Sequence, residues 1–195
     1  MKMKLLSVLL LLLACSGLGF AQNASGSSSG AASGGVQVPI FVGGALEFGS
    51  GTGVGAQNER GVGMRNIEAM VGYWYPRLGF IRGGYGFSAF NETDDNNDSY
   101  SVKHHDIDVE LAVHVYGDLY VKGDYSRARD LSDIGDVAWN EWGLGIGSIV
   151  NIISKTLLFA EVDYRWVLEH YDPFLDKRVK GTRLQFNFGF AVYVY

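Results

Sequence analysis

The chain has 195 residues, a formal charge of −5 from 16 basic and 21 acidic side chains, 13% aromatic residues and a single cysteine. Dispersed acids and scarce lysines exclude a basic nucleic-acid surface, and a lone cysteine excludes a disulfide framework. After the N-terminal segment no apolar run reaches the ~20 residues of a membrane helix.

The first segment, Met1 to Lys4 followed by the apolar run Leu5 to Leu13, has the basic start and short hydrophobic core of a secretory signal. Gly19-Phe20-Ala21 supplies small residues for cleavage, so residues 1–21 are expected to be a signal peptide. Leu12-Leu13-Ala14-Cys15-Ser16 is a competing lipobox in which Cys15 would carry lipid, and the sequence leaves the fate of Cys15 open. Residues 22–35, rich in Ser and Gly, read as a flexible lead-in. Residues 36–195 then form one domain.

Within that domain, period-two alternation and turn signals predict eight strands at 36–49, 65–75, 78–91, 102–116, 119–130, 138–150, 156–168 and 181–195. The fourth is the clearest: Ile107, Val109, Leu111, Val113 and Val115 share one face, and His104, Asp106, Asp108, Glu110 and His114 the other. The eighth sets Leu184, Phe186, Phe188, Phe190, Val192 and Val194 against Arg183, Gln185, Asn187 and Gly189. Connections after strands two, four and six are tight, at Pro76-Arg77, Gly117-Asp118 and Asn151 to Lys155. Those after strands one, three, five and seven are mostly longer and polar: Ser50 to Met64, Thr93 to Ser99, Leu131 to Asp136 and Glu169 to Lys180. This asymmetry predicts an all-β, eight-stranded antiparallel up-and-down barrel with its long loops at one end, as a transmembrane β-barrel requires.

A soluble, lipocalin-like periplasmic ligand carrier has the same alternation with the apolar face turned inwards. Three features favour the inside-out arrangement. The polar face is rich in glycine (Gly43, Gly72, Gly84, Gly86, Gly143, Gly145, Gly147, Gly189), as a cramped interior requires, and its charges are of both signs. Tyr73, Tyr75, Tyr85, Phe87, Trp142, Tyr164 and Trp166 lie on the apolar face, several near strand ends, as interfacial belts do.

The terminal stretch Asn187-Phe-Gly189-Phe-Ala-Val192-Tyr-Val194 resembles the polar-x-Gly-x-x-hydrophobic-x-hydrophobic strand by which bacterial outer-membrane barrels are recognised for insertion. With the signal segment, the strand count and the loop asymmetry, the chain resembles the small eight-stranded barrels of the OmpA, OmpX and OmpW type. It departs from them in ending its outward parity on Val194, with Tyr195 one residue beyond, where the family has an outward aromatic. The resemblance implies a bacterial outer-membrane location, with membrane lipid and the barrel-assembly machinery, acting through the C-terminal strand, as partners. The peptidoglycan-binding domain that follows the OmpA barrel is expected to be missing.

In this orientation the lumen collects Glu47, Glu68, Arg82, Asp106, Asp108, Glu110, Lys122, Asp124, Glu141, Glu161, Asp163, Arg165 and Arg183, together with His104 and His114. Nine acids against four bases in a space with room for little beyond side chains should pair into an ion-pair network. A mostly plugged barrel is expected, and any leak should favour cations. This polar filling is nearer to OmpA and OmpX than to the apolar lumen of OmpW.

Motifs for chemistry are weak. Alternation points His105 away from His104 and Asp106, which argues against a metal cluster. Asp94 to Asp98 begins like a calcium loop, but Ser99 replaces the turn glycine and His105 the closing glutamate. The glycine runs at 49–55 and 143–147 have no Lys-Ser/Thr after them, and His114 with Asp124 or Asp163 has no evident serine partner. The sequence therefore predicts no enzyme, metal or cofactor. It predicts a barrel acting through surface loops, with Gly51 to Arg65, Asn91 to Tyr100 and Glu169 to Lys180 as candidate contacts for an extracellular partner. The alternative is a narrow pore for small solutes.

Overall fold

The computed structural model describes residues 39–51, 63–75, 78–93, 99–133, 135–153, 155–173 and 176–194. They form eight strands: β1 (Ile40–Gly51), β2 (Gly63–Tyr75), β3 (Gly79–Thr93), β4 (Ser99–Tyr116), β5 (Leu119–Ser132), β6 (Gly135–Ile153), β7 (Thr156–Asp172) and β8 (Lys177–Val194). Each pairs antiparallel with its neighbour in sequence, and β1 pairs with β8 from Ile40↔Val194 to Gly51↔Arg183, closing the ring. The expected signal segment, the lead-in, Val36, Val38 and Tyr195 lie outside the described residues.

Burial alternates with the sequence: on β5 the exposed residues Leu119, Val121 and Tyr125 interleave with buried Tyr120, Lys122, Asp124 and Ser126. The hydrocarbon faces outwards. Ile67, Leu111 and Leu144 are each about three-fifths exposed (59%, 58% and 60%), whereas Glu110, Glu141 and Asp163 are fully buried. That is the reverse of a soluble ligand-carrying barrel, whose apolar residues line the cavity. A continuous apolar outer belt of this kind is stable only against lipid.

The strands run further than the alternation predicts. β4, β6 and β8 have 18, 19 and 18 residues, whereas a tilted membrane strand needs about 9–11. Most of the excess lies at the loop end, where the ladder continues to Thr93↔Ser99, Ser132↔Gly135 and Asp172↔Lys177, while β6 also runs on to Ile153↔Thr156 at the opposite end. The connections at 131–136 and 169–180 are therefore mostly hairpin. Polar side chains on both faces hide these extensions from a pattern search, because outside the membrane neither face needs hydrocarbon. A register shift between Val167 and His170 also breaks the parity of β7. At the opposite end Gly117, with φ 55°, takes the left-handed conformation that its tight turn requires.

Leu111 sits mid-strand on the outer face, paired with Ile81 and Gly123. Leu111→Arg should cost about 2–4 kcal/mol in urea unfolding of the bilayer-inserted protein. A neutral result there, combined with a neutral Glu110→Leu, would show the two faces to be reversed.

Candidate functional site

The interior is built in layers. Nearest the short turns it is apolar: Phe41, Phe80, Tyr120, Leu157 and Phe159 are buried together. Phe41 and Phe80 meet edge to face at 5.9 Å, and Phe80 and Tyr120 at 5.1 Å. The rings of Phe41, Tyr120 and Phe159 lie against glycines of the neighbouring strands. A Cβ at Gly72 would overlap the Phe41 ring, one at Gly147 the Tyr120 ring, and one at Gly189 the Phe159 ring. Glycine on the inner face thus makes room for a large side chain from next door, which is why the narrow barrel alternates small and large.

The next layer holds ions. Arg82 on β3 donates to Glu161 on β7 at 2.6 Å and to Glu110 at 2.9 Å. Lys122 on β5 lies 2.6 Å from Glu110, 2.7 Å from Glu161 and 2.8 Å from Asp163. The Glu161 carboxylate also accepts from the Tyr120 hydroxyl at 2.5 Å and from Asn187 Nδ2 at 3.2 Å. The Arg82 guanidinium lies 4.9 Å from the centre of the Phe159 ring, which joins the ionic layer to the apolar one. β3 and β7 are diametrically opposite in a ring of eight, so the Arg82 contact to Glu161 crosses the barrel axis.

Above it Arg165 lies 3.2 Å from Asp124 and 3.8 Å from both Asp106 and Glu141, and donates to Ser126 at 3.3 Å. Arg183 approaches Glu141 at 3.3 Å, and the Trp139 indole donates to the same carboxylate at 2.6 Å. Gln185 donates to Glu47 across the β8–β1 seam. Towards the loop end His104 meets Asp130 at 2.6 Å, beside an apolar cluster of Ala128, Val137, Trp139 and Val167.

Glu68, Arg82, Asp106, Asp108, Glu110, Lys122, Asp124, Glu141, Glu161, Asp163, Arg165 and Arg183 all point inwards and are all nine-tenths or more buried. Ten of these twelve fall into the two ionic layers; Glu68 and Asp108 stand outside every ion pair among the described residues. His105 faces outwards, within 2.7 Å of the Tyr85 hydroxyl, whereas His114 keeps the inner parity at the short-turn end, packed on Trp74 and Tyr120 and away from the ionic layers. Asp94 to Asp98 lie outside the described residues. Sequence reasoning missed Asp130 and Asp172, both buried, and the apolar layer of Phe41, Ile149, Leu157 and Phe159. Simple parity would have found all of these but Asp172, which the β7 irregularity moves to the inner face.

No protein-family model and no curated protein matches the chain. Among solved structures it is similar to Neisserial surface protein A (NspA), with a TM-score of 0.50 and 11% identity over 80% of this chain and 97% of that one. The fold is that of a small outer-membrane β-barrel. Ail of Yersinia pestis, solved with the heparin analogue sucrose octasulfate, is matched with a TM-score of 0.42 and 12% identity over 77% of this chain and 95% of Ail. The outer membrane protease OmpT of Escherichia coli is matched with a TM-score of 0.34 and 8% identity over 80% and 94% of the two chains.

In this barrel the Glu161 carboxylate is shared by two cations and a phenol, all desolvated. Removing one partner of a buried ion pair strands the others, so Glu161→Ala should cost about 3–5 kcal/mol. Arg129→Ala breaks a pair with Asp136 whose side chains are 56% and 48% exposed, and should cost at most about 1 kcal/mol. Urea unfolding of the two variants measures the contrast, and equal losses would mean that the interior network is not a stabilising element.

Proposed function

We propose that this protein is a structural and surface-contact barrel of the outer membrane of a diderm bacterium, acting through its loop end and through its rigidity in the envelope, with a lumen that does not conduct. The observation that carries the reading is the contact of Arg82 with Glu161 across the axis at 2.6 Å, stacked on a layer of four aromatic rings, Phe41, Phe80, Tyr120 and Phe159. A continuous water path would have to pass both layers. In an eight-stranded barrel side chains alone suffice to fill the cross-section. The buried acids and bases of the ionic layers are committed to one another, which supports a structural role over a catalytic one.

The end that carries the extended hairpins is where an extracellular partner would be met. It includes the paired β7–β8 segment around Tyr171 and Arg178, and the connections at 52–62 and 94–98 belong to the same proposal. The C-terminal residues Asn187 to Val194 supply the strand for the assembly machinery, and membrane lipid covers the outer belt.

A narrow, cation-selective pore is the second reading, favoured by the excess of buried carboxylates over the buried Lys and Arg side chains among the described residues, Arg82, Lys122, Arg165 and Arg183. Planar-bilayer recording separates the two. The proposal predicts no stepwise openings above the bare bilayer, whereas reproducible cation-selective steps would establish the pore.

A further inference from the structure

On the inner face of β3 two glycines, Gly84 and Gly86, leave a notch between β2 and β4. Four side chains converge on it. A Cβ at Gly84 would overlap both a Glu68 carboxylate oxygen from β2 and an Asp108 carboxylate oxygen from β4, so the two carboxylates face each other across one glycine. A Cβ at Gly86 would overlap the Asn66 amide and lie 3.5 Å from Asp106 Cβ.

Among the described residues no interior cation forms an ion pair with Glu68 or Asp108, although Arg82 acts electrostatically on both and Arg165 on Asp108. Arg82 and Lys122 are bound to Glu110, Glu161 and Asp163, Arg165 to Asp124 with longer contacts to Asp106 and Glu141, and Arg183 to Glu141. A Glu68 oxygen in the notch is buried with no hydrogen-bond partner. The independent sign of a ligand is Asn66: it is 1% exposed, and both its amide oxygen and its amide nitrogen lack a partner. Burying a neutral amide with neither end satisfied costs free energy. Two carboxylates sharing a desolvated site cannot both stay ionised without a positive charge between them.

We propose that the notch over Gly84 and Gly86 binds a calcium ion, ligated by the carboxylates of Glu68 and Asp108 and by the amide oxygen of Asn66. All three donors are hard oxygens, the two ends of an amide being interchangeable by a flip. Calcium accepts a flexible set of oxygen ligands that includes water, whereas magnesium demands near-ideal octahedral geometry. Among the described residues no three His, Cys, Asp or Glu side chains are arranged to hold a metal ion by themselves, so the site is a two-carboxylate site completed by the amide and solvent. It would tie β2 to β4 across the smallest residues of β3.

The test uses protein extracted from membranes in detergent and stripped with chelator, and reads the temperature at which the compact, unboiled gel band is lost. Calcium should raise that temperature by several degrees, and magnesium or sodium at equal ionic strength should not. The Glu68→Gln/Asp108→Asn variant should lose the calcium response and, in chelator, be at least as heat-resistant as the native protein, because its repulsion has been removed. A variant neutralised at Asp94, Asp95 and Asp98 should keep the response. No calcium response in the native protein, as a proton shared by the pair would give, overturns the proposal. So does an equal response to magnesium or sodium, a response retained by the Glu68/Asp108 variant, or one lost with the Asp94 to Asp98 acids. If the Glu68/Asp108 variant does not fold, equilibrium dialysis of the Asp94/Asp95/Asp98 variant against radioactive calcium decides: one bound ion per chain supports the site, and none refutes it.

Discussion

In hydrocarbon no backbone N–H or C=O can be left without a partner, and closure of the ladder between β1 and β8 is how this chain meets that demand. Everything else follows from the closure. Once eight strands form a ring, every second side chain must enter a space only a few side chains wide, and the others must face lipid. The sequence answers with aliphatic and aromatic residues outside, and with glycines, rings and paired ions inside. The charges of the two ionic layers are tolerated because they pair with one another: Glu161 gathers Arg82, Lys122, Tyr120 and Asn187, and Glu141 gathers Arg165, Arg183 and Trp139.

The membrane-crossing part was legible because a membrane imposes a strict rule on both faces of each strand. Alternation from His104 to Tyr116 identified β4 and its orientation, and the glycine-rich inner parity marked a cramped interior without showing that Phe41, Tyr120 and Phe159 fill the space beside those glycines. The rule lapses beyond the bilayer. There the hairpin ends of β3 to β8 carry polar residues on both faces, so their pairing to Thr93↔Ser99 and Asp172↔Lys177 left no period to read.

Inside the barrel, membership was legible and partnership was not. Parity assigned Arg82 and Glu161 to the lumen, but the two are 79 residues apart in sequence, and only the stagger of the closed ring decides that they meet across the axis. The layering escaped for a related reason. Phe41, Leu157 and Phe159 sit at strand ends, where two or three residues give a weak pattern, yet the topology brings those ends together in one apolar layer.

The orientation of the two faces is the central claim, and tryptophan fluorescence in bilayers of acyl chains brominated near the headgroup tests it most directly. The chain has 4 tryptophans; Trp142 is 54% exposed on the outer face and Trp139, three residues away, is 3% exposed inside. A protein retaining only Trp142 should be quenched strongly, and one retaining only Trp139 should be spared. Strong quenching of Trp139 with Trp142 unaffected would turn the barrel outside-in and contradict the account.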